Sequence, residues 1–308
     1  AWVAHEMGYS DQVNFTFSQS NYLDETIPKQ IASDLKHSWV FKALDNGLFL
    51  KDVDAINEMT GGNVLYYGLA HGNSLFSLIN FENLGIVHTG QLGDIVIGSF
   101  IKSMSEASNV IGGAYSKKLI SKVQGSNIVC DDLAEKEREL IYRRGFNGAN
   151  NGLLASQQYS ETMSPFYDID FFETCLSLPI QHRVQHGLYK EWVLTKYPKA
   201  GQYVWESTKK KLSQKSRYVN YKGKSIAIDR IPALVFQKMG LKQIGTNSAN
   251  HMNPLDYWYK TNGSIKVFQD SYFDETLKTS FDDGGLYVGT TKETRKERVA
   301  LLKGKLVQ

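Results

Sequence analysis

Between residues 13 and 88 the chain alternates strand-like with helix-like stretches. This restricts it to folds in which helices cross over between neighbouring parallel strands. Val13–Ser18 (VNFTFS) is a β-rich run, and Asp24-Glu25 then opens a helical pattern with Ile27, Ile31 and Leu35 on one face and Pro28 expected in its first turn. Residues 39–44 (WVFKAL) form the next strand, and Phe49, Val53 and Ile56 recur at helical spacing up to the Gly61-Gly62 stop. Residues 65–79 read as another helix, and 85–88 as a third strand running into a Gly-rich turn at 89–94. The expected fold class is α/β, a doubly wound and mostly parallel sheet in which ligands lie beyond the carboxyl ends of the strands. The loops after Ser18 and after His88 are therefore the places to look for chemistry.

From about Ser103 the character becomes helical, with patterns at 133–142, 168–178 and 189–197 and few convincing strands. The division this predicts is a parallel α/β nucleotide-binding core over 1–102 and a helical remainder of the same domain over 103–308. Residues 216–263 have no clear period, and 294–307 read as a charged helix. The opening residues, 1–7, resemble the middle of an amphipathic helix with no cap ahead of it, so further chain is expected upstream.

Composition narrows the function classes. With 308 residues, 42% of them hydrophobic, the chain has enough apolar surface for a substantial core. Its 35 basic and 32 acidic residues are interspersed, without the basic density a duplex requires, so nucleic acid is not an expected partner. The two cysteines, Cys130 and Cys175, lie outside any paired motif, which fits a reducing, cytoplasmic setting. No run of about 18 apolar residues is present, and no membrane partner is expected.

Two segments carry chemistry. In the first, Ile86-Val87-His88-Thr89-Gly90-Gln91-Leu92-Gly93-Asp94, a buried strand ends in Thr and Gly with a carboxylate four residues on. Such a turn brings backbone N–H groups close to a nucleotide and holds a magnesium ligand; the plainer alternative is a strand-to-helix turn capped by Asp94. In the second, Met163-Ser164-Pro165-Phe166-Tyr167-Asp168, Pro165 fixes the chain entry and Asp168 caps a helix whose Phe172, Cys175 and Leu176 face the core.

Taken together, HTGQLGDIVIGSF and, later, MSPFYDIDFFETCLSLP resemble the asparagine synthetase family. Its synthetase domain has a strand, a Ser/Thr-Gly-x-Gly-x-Asp-Glu turn, Gly-Gly-Tyr, and much later Pro-Phe-Leu-Asp before a helix and Leu-Pro. VNFTFSQSNYLDETIPKQIASDL is similar to that family's second strand, nucleotide-contacting turn and following helix, so the likeness spans residues 1–213 in order.

The resemblance implies an ATP-dependent ligase, using ATP and Mg²⁺. A small-molecule carboxylate is adenylated with release of pyrophosphate, and ammonia or an amine then forms the amide. By motif position, Ser18 and Gln19 correspond to adenine contacts, Thr89 and Gly90 to ribose and phosphate contacts, and Asp94 to a magnesium ligand. Lys209, with Lys210 and Lys211 as alternatives, corresponds to the lysine that stabilises the adenylation transition state. Gln91 occupies the position of the family's acidic residue in the turn and is unable to act as a base; Ile95 and Met163 replace a second acid and an arginine. The Ser-Gly-Gly-x-Asp-Ser phosphate loop and an N-terminal glutaminase domain are expected upstream of Ala1. The substituted turn points away from ordinary asparagine biosynthesis toward surface-polysaccharide or secondary-metabolite modification, or to a catalytically silent binding or scaffold module of the same fold.

Smaller signals lie beside these. His182 and His186, four residues apart, suit one helical face as metal ligands or are ordinary packing histidines, and Tyr257-Trp258-Tyr259 reads as a packing cluster.

Overall fold

Parallel strands cannot be joined by a tight hairpin, so each parallel pair needs a connection of a dozen residues or more. In the computed structural model this is met twice. The structure describes residues 1–61, 67–110, 127–206, 208–214, 218–221, 224–228, 231–232 and 247–272. In chain order its helices are α1 Trp2–Glu6, α2 Leu23–Leu35, α3 Val53–Thr60, α4 Tyr67–Phe76, α5 Gly93–Val96, α6 Leu133–Leu140, α7 Leu153–Gln157, α8 Ile169–Ser177, α9 Ile180–Arg183, α10 Gly187–Lys196, α11 Leu255–Thr261 and α12 Gly263–Ser271. The strands are β1 Val13–Ser18, β2 Ser38–Ala43, β3 Val87–His88, β4 Thr162–Met163, β5 Val204–Trp205, β6 Lys210–Lys211, β7 Tyr218–Tyr221 and β8 Lys224–Ala227.

The molecule is thus mixed α/β, with small parallel sheets among the described residues. β1–β2 and β3–β4 are parallel ladders, whereas β5–β6 and β7–β8 are antiparallel. The partner of β3 is β4, far along the chain in the stretch whose pattern is helical. The chain divides into two compact units, Ala1–Leu48 with Lys190–Lys266, and Phe49–Tyr189 with Val267–Gln308.

The first unit is organised by the β1–α2–β2 crossover, in register from Val13 opposite Ser38 to Ser18 opposite Ala43. The alternation of VNFTFS sends Asn14, Thr16 and Ser18 to one face, where the Trp39 indole donates to Thr16 Oγ1 at 2.9 Å and the Lys29 ammonium of α2 lies 5.7 Å from the Trp39 ring. Helix α2 starts earlier than its sequence pattern indicates. Tyr22 is extended and Leu23, Asp24 and Glu25 form the first turn, which puts Pro28 in the second turn rather than the first. Glu25 reaches back to accept from the Asn21 N–H, and both acids suit the positive end of the helix dipole. Lys36, in the left-handed conformation, ends α2, and His37 beyond it is buried within 2.8 Å of His5 on α1. Trp258 of α11 packs flat against Gly47, where a Cβ would stand 2.7 Å from the indole. This is the packing role expected of the aromatic cluster.

In the second unit, Ile101, Val110, Cys130 and Leu140 make one apolar cluster, and Leu92, Ile95 and Ile141 make another that Phe172 and Leu176 cover. Asp132 caps α6, accepting from the Glu135 N–H at 2.8 Å, and Asp168 caps α8 by accepting from the Phe171 N–H at 2.9 Å. Between them, Ile141–Phe146 is a π-helix, an uncommon winding that is concentrated at functional sites. Arg183 and Glu137 form a fully buried ion pair at 2.6 Å, and the glycine at 98, with φ of +102°, lets the Arg183 carbonyl approach to where a Cβ would be only 2.3 Å away. Both cysteines are buried free thiols.

Other sequence readings change as well. His182 lies on α9, but Gln185 and His186 take positive φ, so the two histidines share no helical face. Among the described residues no group of three metal-binding side chains occurs. Residues 216–263 contain the β7–β8 pair, whose Tyr-Val-Asn-Tyr run is β-prone, so strands are more frequent in the second half than the periodicity indicates. The helix read over 65–79 covers Tyr67–Phe76, while the charged tail at 294–307 lies outside the described residues. No helix among the described residues is long and apolar enough to cross a membrane.

Arg183→Met strands a buried carboxylate and is expected to cost about 3–5 kcal/mol in urea unfolding, most of it recovered by adding Glu137→Leu. A loss under about 1 kcal/mol would contradict the assignment. His71, on α4, is held by burial at a pKa of about 4 instead of 6.5. The unfolded chain therefore takes up this proton first as pH falls, so its contribution to stability is whole above pH 6.5 and is lost toward pH 4, by up to about 3 kcal/mol. His71→Gln should flatten the stability–pH curve across that window.

Candidate functional site

The carboxyl end of β1 opens into the loop 19–22, and four consecutive backbone donors there are all taken by the protein. Gln19 N–H goes to the Met252 carbonyl (3.2 Å), Ser20 N–H to Asp45 (2.8 Å), Asn21 N–H to Glu25 (2.5 Å) and Tyr22 N–H back to the Gln19 carbonyl (3.2 Å). The Ser20 hydroxyl also donates to Asp45 at 2.6 Å, so one carboxylate ties this loop to the end of β2. Ser18 is fully buried, its hydroxyl donating to the Gln19 carbonyl at 3.0 Å, while the Gln19 side chain accepts from the Trp258 indole at 3.0 Å.

Beside this loop stands Lys209. Its backbone is left-handed, with φ of 58°, and its ammonium donates to Glu206 at 2.5 Å and to the Tyr22 hydroxyl at 3.0 Å, lying 4.8 Å from the Tyr22 ring. The Tyr22 hydroxyl in turn donates to Glu206. Desolvation draws the Lys209 pKa down, but the bonds to Glu206 and Tyr22 outweigh it and hold the ammonium above the ordinary lysine value. Glu206 mirrors this: burial raises its carboxyl, the Lys209 and Tyr22 hydrogen bonds lower it, and the net direction is down. Asp24 is pushed up, by burial first and then by the neighbouring Glu206 charge. Tyr22 rises through burial and its bond to Glu206. In this cluster one ammonium is shared between a carboxylate and a phenol, with the Asp24 carboxyl beside them. Lys210 and Lys211 lie on β6, after the turn that aims Lys209 at Tyr22.

The second unit holds the other motif. Thr89 N–H extends the β3–β4 ladder to the Met163 carbonyl at 2.9 Å, the Thr89 hydroxyl accepts from the Gln91 N–H at 3.3 Å, and the Ser164 hydroxyl donates to the Gln91 carbonyl at 2.7 Å. The two sequence motifs are therefore bonded to one another. The Gln91 side-chain amide donates to the Ala149 carbonyl, which ties the turn to the segment before α7. Leu92 takes φ of +62°, and α5 begins at Gly93, so Asp94 lies exposed inside the first turn and does not act as its cap. The two glycines of the turn differ. A Cβ on Gly93 would be 2.6 Å from the Phe166 ring, whereas a Cβ on Gly90, which is exposed, would meet nothing within 4 Å. Packing requires glycine at 93; at 90 it leaves the backbone open to approach.

Of the residues nominated from sequence, Ser18, Gln19 and Lys209 belong to the first unit, and Thr89, Gly90, Gln91 and Asp94 form one turn of the second. The structure adds Tyr22, Asp24, Asp45 and Glu206 to them. Glu206 carries a signal in its i, i+3 spacing to Lys209, and Tyr22 in closing the loop after β1; nothing local marks Asp45. A cavity of about 540 Å³ lined by Phe81, Glu82, Ile86, Tyr159 and Glu161 lies at the amino ends of β3 and β4, opposite the end where parallel strands carry chemistry. No protein-family model and no curated protein matches this chain.

Gly90→Ala is expected to leave thermal stability within about 0.5 kcal/mol of the parent, while Gly93→Ala should cost about 1–3 kcal/mol through the clash with Phe166. Equal losses in a denaturation series would contradict the distinction.

Proposed function

We propose that the chain is an ATP-dependent, amide-forming ligase domain similar to the synthetase domain of asparagine synthetases, acting on a small-molecule carboxylate. The observation that carries this is the meeting of Lys209 with Tyr22. The resemblance nominates the loop after β1 and a lysine about 190 residues later as parts of one nucleotide site, and that lysine's ammonium is 3.0 Å from the loop's tyrosine. A carboxylate is a poor acyl donor until activated, and ATP supplies the electrophilic phosphorus for that step. In this reading Lys209, now bonded to Glu206 and Tyr22, offsets negative charge that grows on phosphate oxygens. Asp94, exposed on α5, suits a magnesium ion that draws most of its ligands from phosphates and water, and the open backbone at Gly90 leaves room for a ribose or phosphate. The reading includes a doubly wound, mostly parallel sheet; what supports it is the parallel pairing of β1 with β2 and, in a separate sheet, of β3 with β4. It also includes a glutaminase domain and phosphate loop upstream, a cytoplasmic setting, and a role in modifying polysaccharides or secondary metabolites.

A second reading, a catalytically silent binding module of the same fold, is favoured by the satisfied donors of loop 19–22 and by Gln91 being turned to the Ala149 carbonyl.

ATP–pyrophosphate exchange on the full-length protein, run over a panel of carboxylates, separates the two. The ligase requires exchange that depends on a carboxylate and falls about 100-fold or more in Lys209→Ala, with Lys210→Ala within a fewfold of the parent. Full-length protein that binds no ATP removes the ligase reading.

A further inference from the structure

We infer that the cleft lined by Phe146, Asn150, Tyr167, Ile169, Phe172 and Glu173 is a binding site for a small organic cation of the alkylammonium class. The cleft lies wholly in the second unit and has a volume of about 300 Å³, room for a few heavy atoms beyond an ammonium group. Three of its six lining residues are aromatic. Phe146 stands 5.9 Å from Phe172 at 51° and 6.4 Å from Tyr167 at 40°, so the rings are tilted against one another, and ring faces are not consumed in flat stacking. Electron-rich ring faces attract cations, most strongly where water is excluded.

The polar groups agree in sign. Glu173 carries the only charge among the lining residues, and no lysine or arginine lines the cleft to receive an anion. The Tyr167 hydroxyl is committed to Asn150 Oδ1, which leaves the part of its ring not packed against Leu92, Ile95 and Ile141 as the surface it offers. Burial raises the Tyr167 pKa, so the phenol stays neutral. The walls are held from two directions: Phe146 closes the π-helix, and Phe172 and Glu173 project from α8, whose start is fixed by the Asp168 cap. A neutral apolar ligand would fill the same volume but draw nothing from Glu173. The inference stands apart from the ligase reading, since it concerns binding by residues that reading does not use.

The test is an NMR titration of the full chain, following aromatic ring resonances, with tetramethylammonium against tert-butanol, a neutral probe of similar shape. Saturable binding of the cation, weaker by about threefold or more in Glu173→Gln and in Phe172→Leu, with no saturation by tert-butanol, is the expected result. Both probes binding alike, no saturation by the cation, or unchanged affinity in both variants would overturn it. Glu173 is exposed, so its variant keeps the fold; should Phe172→Leu melt early, Glu173→Gln alone decides.

Discussion

The Asp45 carboxylate accepts at once from the Ser20 backbone and hydroxyl, and much of the first unit follows from that pair of bonds. Parallel strands end side by side, so the loops leaving β1 and β2 start as neighbours and a single side chain is able to join them. Asp45 does so, assisted by the Leu44 N–H, which donates to the Ser18 carbonyl at 2.9 Å. With the two loops joined, Gly47 comes flat against Trp258, and the indole reaches Gln19. The start of α2 is thereby set, and Tyr22 with it, so the position of Lys209 is secured through contacts far from it in sequence.

What was legible in the sequence was what periodicity and caps encode. VNFTFS alternates and is a strand; Asp168 follows Pro165 and caps α8; Ile27, Ile31 and Leu35 mark the inner side of α2. The boundaries slipped where backbone geometry overrode composition. Pro28 suits a first turn, yet the acidic side chains of Asp24 and Glu25 favour an earlier start, and the helix accepts a proline in its second turn. His182 and His186 have helical spacing, but left-handed residues at 185 and 186 break it, and no property of the Arg-Val-Gln-His string announces that.

The site was legible in part for the same reason. Thr89, Gly90 and Asp94 are near neighbours, so one turn's pattern contains them. The Tyr22–Glu206–Lys209 cluster depends on two stretches about 185 residues apart, and only resemblance to a family linked them in advance. Asp45 and Ala149 act through a bond to a distant loop, which no local spacing records.

The closed ledger of hydrogen bonds in loop 19–22 has a consequence for whatever anion visits it. Phosphate sites built from backbone amides grip through N–H groups that point at the anion and have no other acceptor. Here the amides already have acceptors, and what remains is a partly exposed ammonium shared with a carboxylate. Attraction of that kind reaches only about 8 Å at physiological ionic strength and dwindles as counter-ions accumulate. The loop is thus a weak, electrolyte-sensitive magnet on its own, and tight anion capture would have to come from donors elsewhere in the protein.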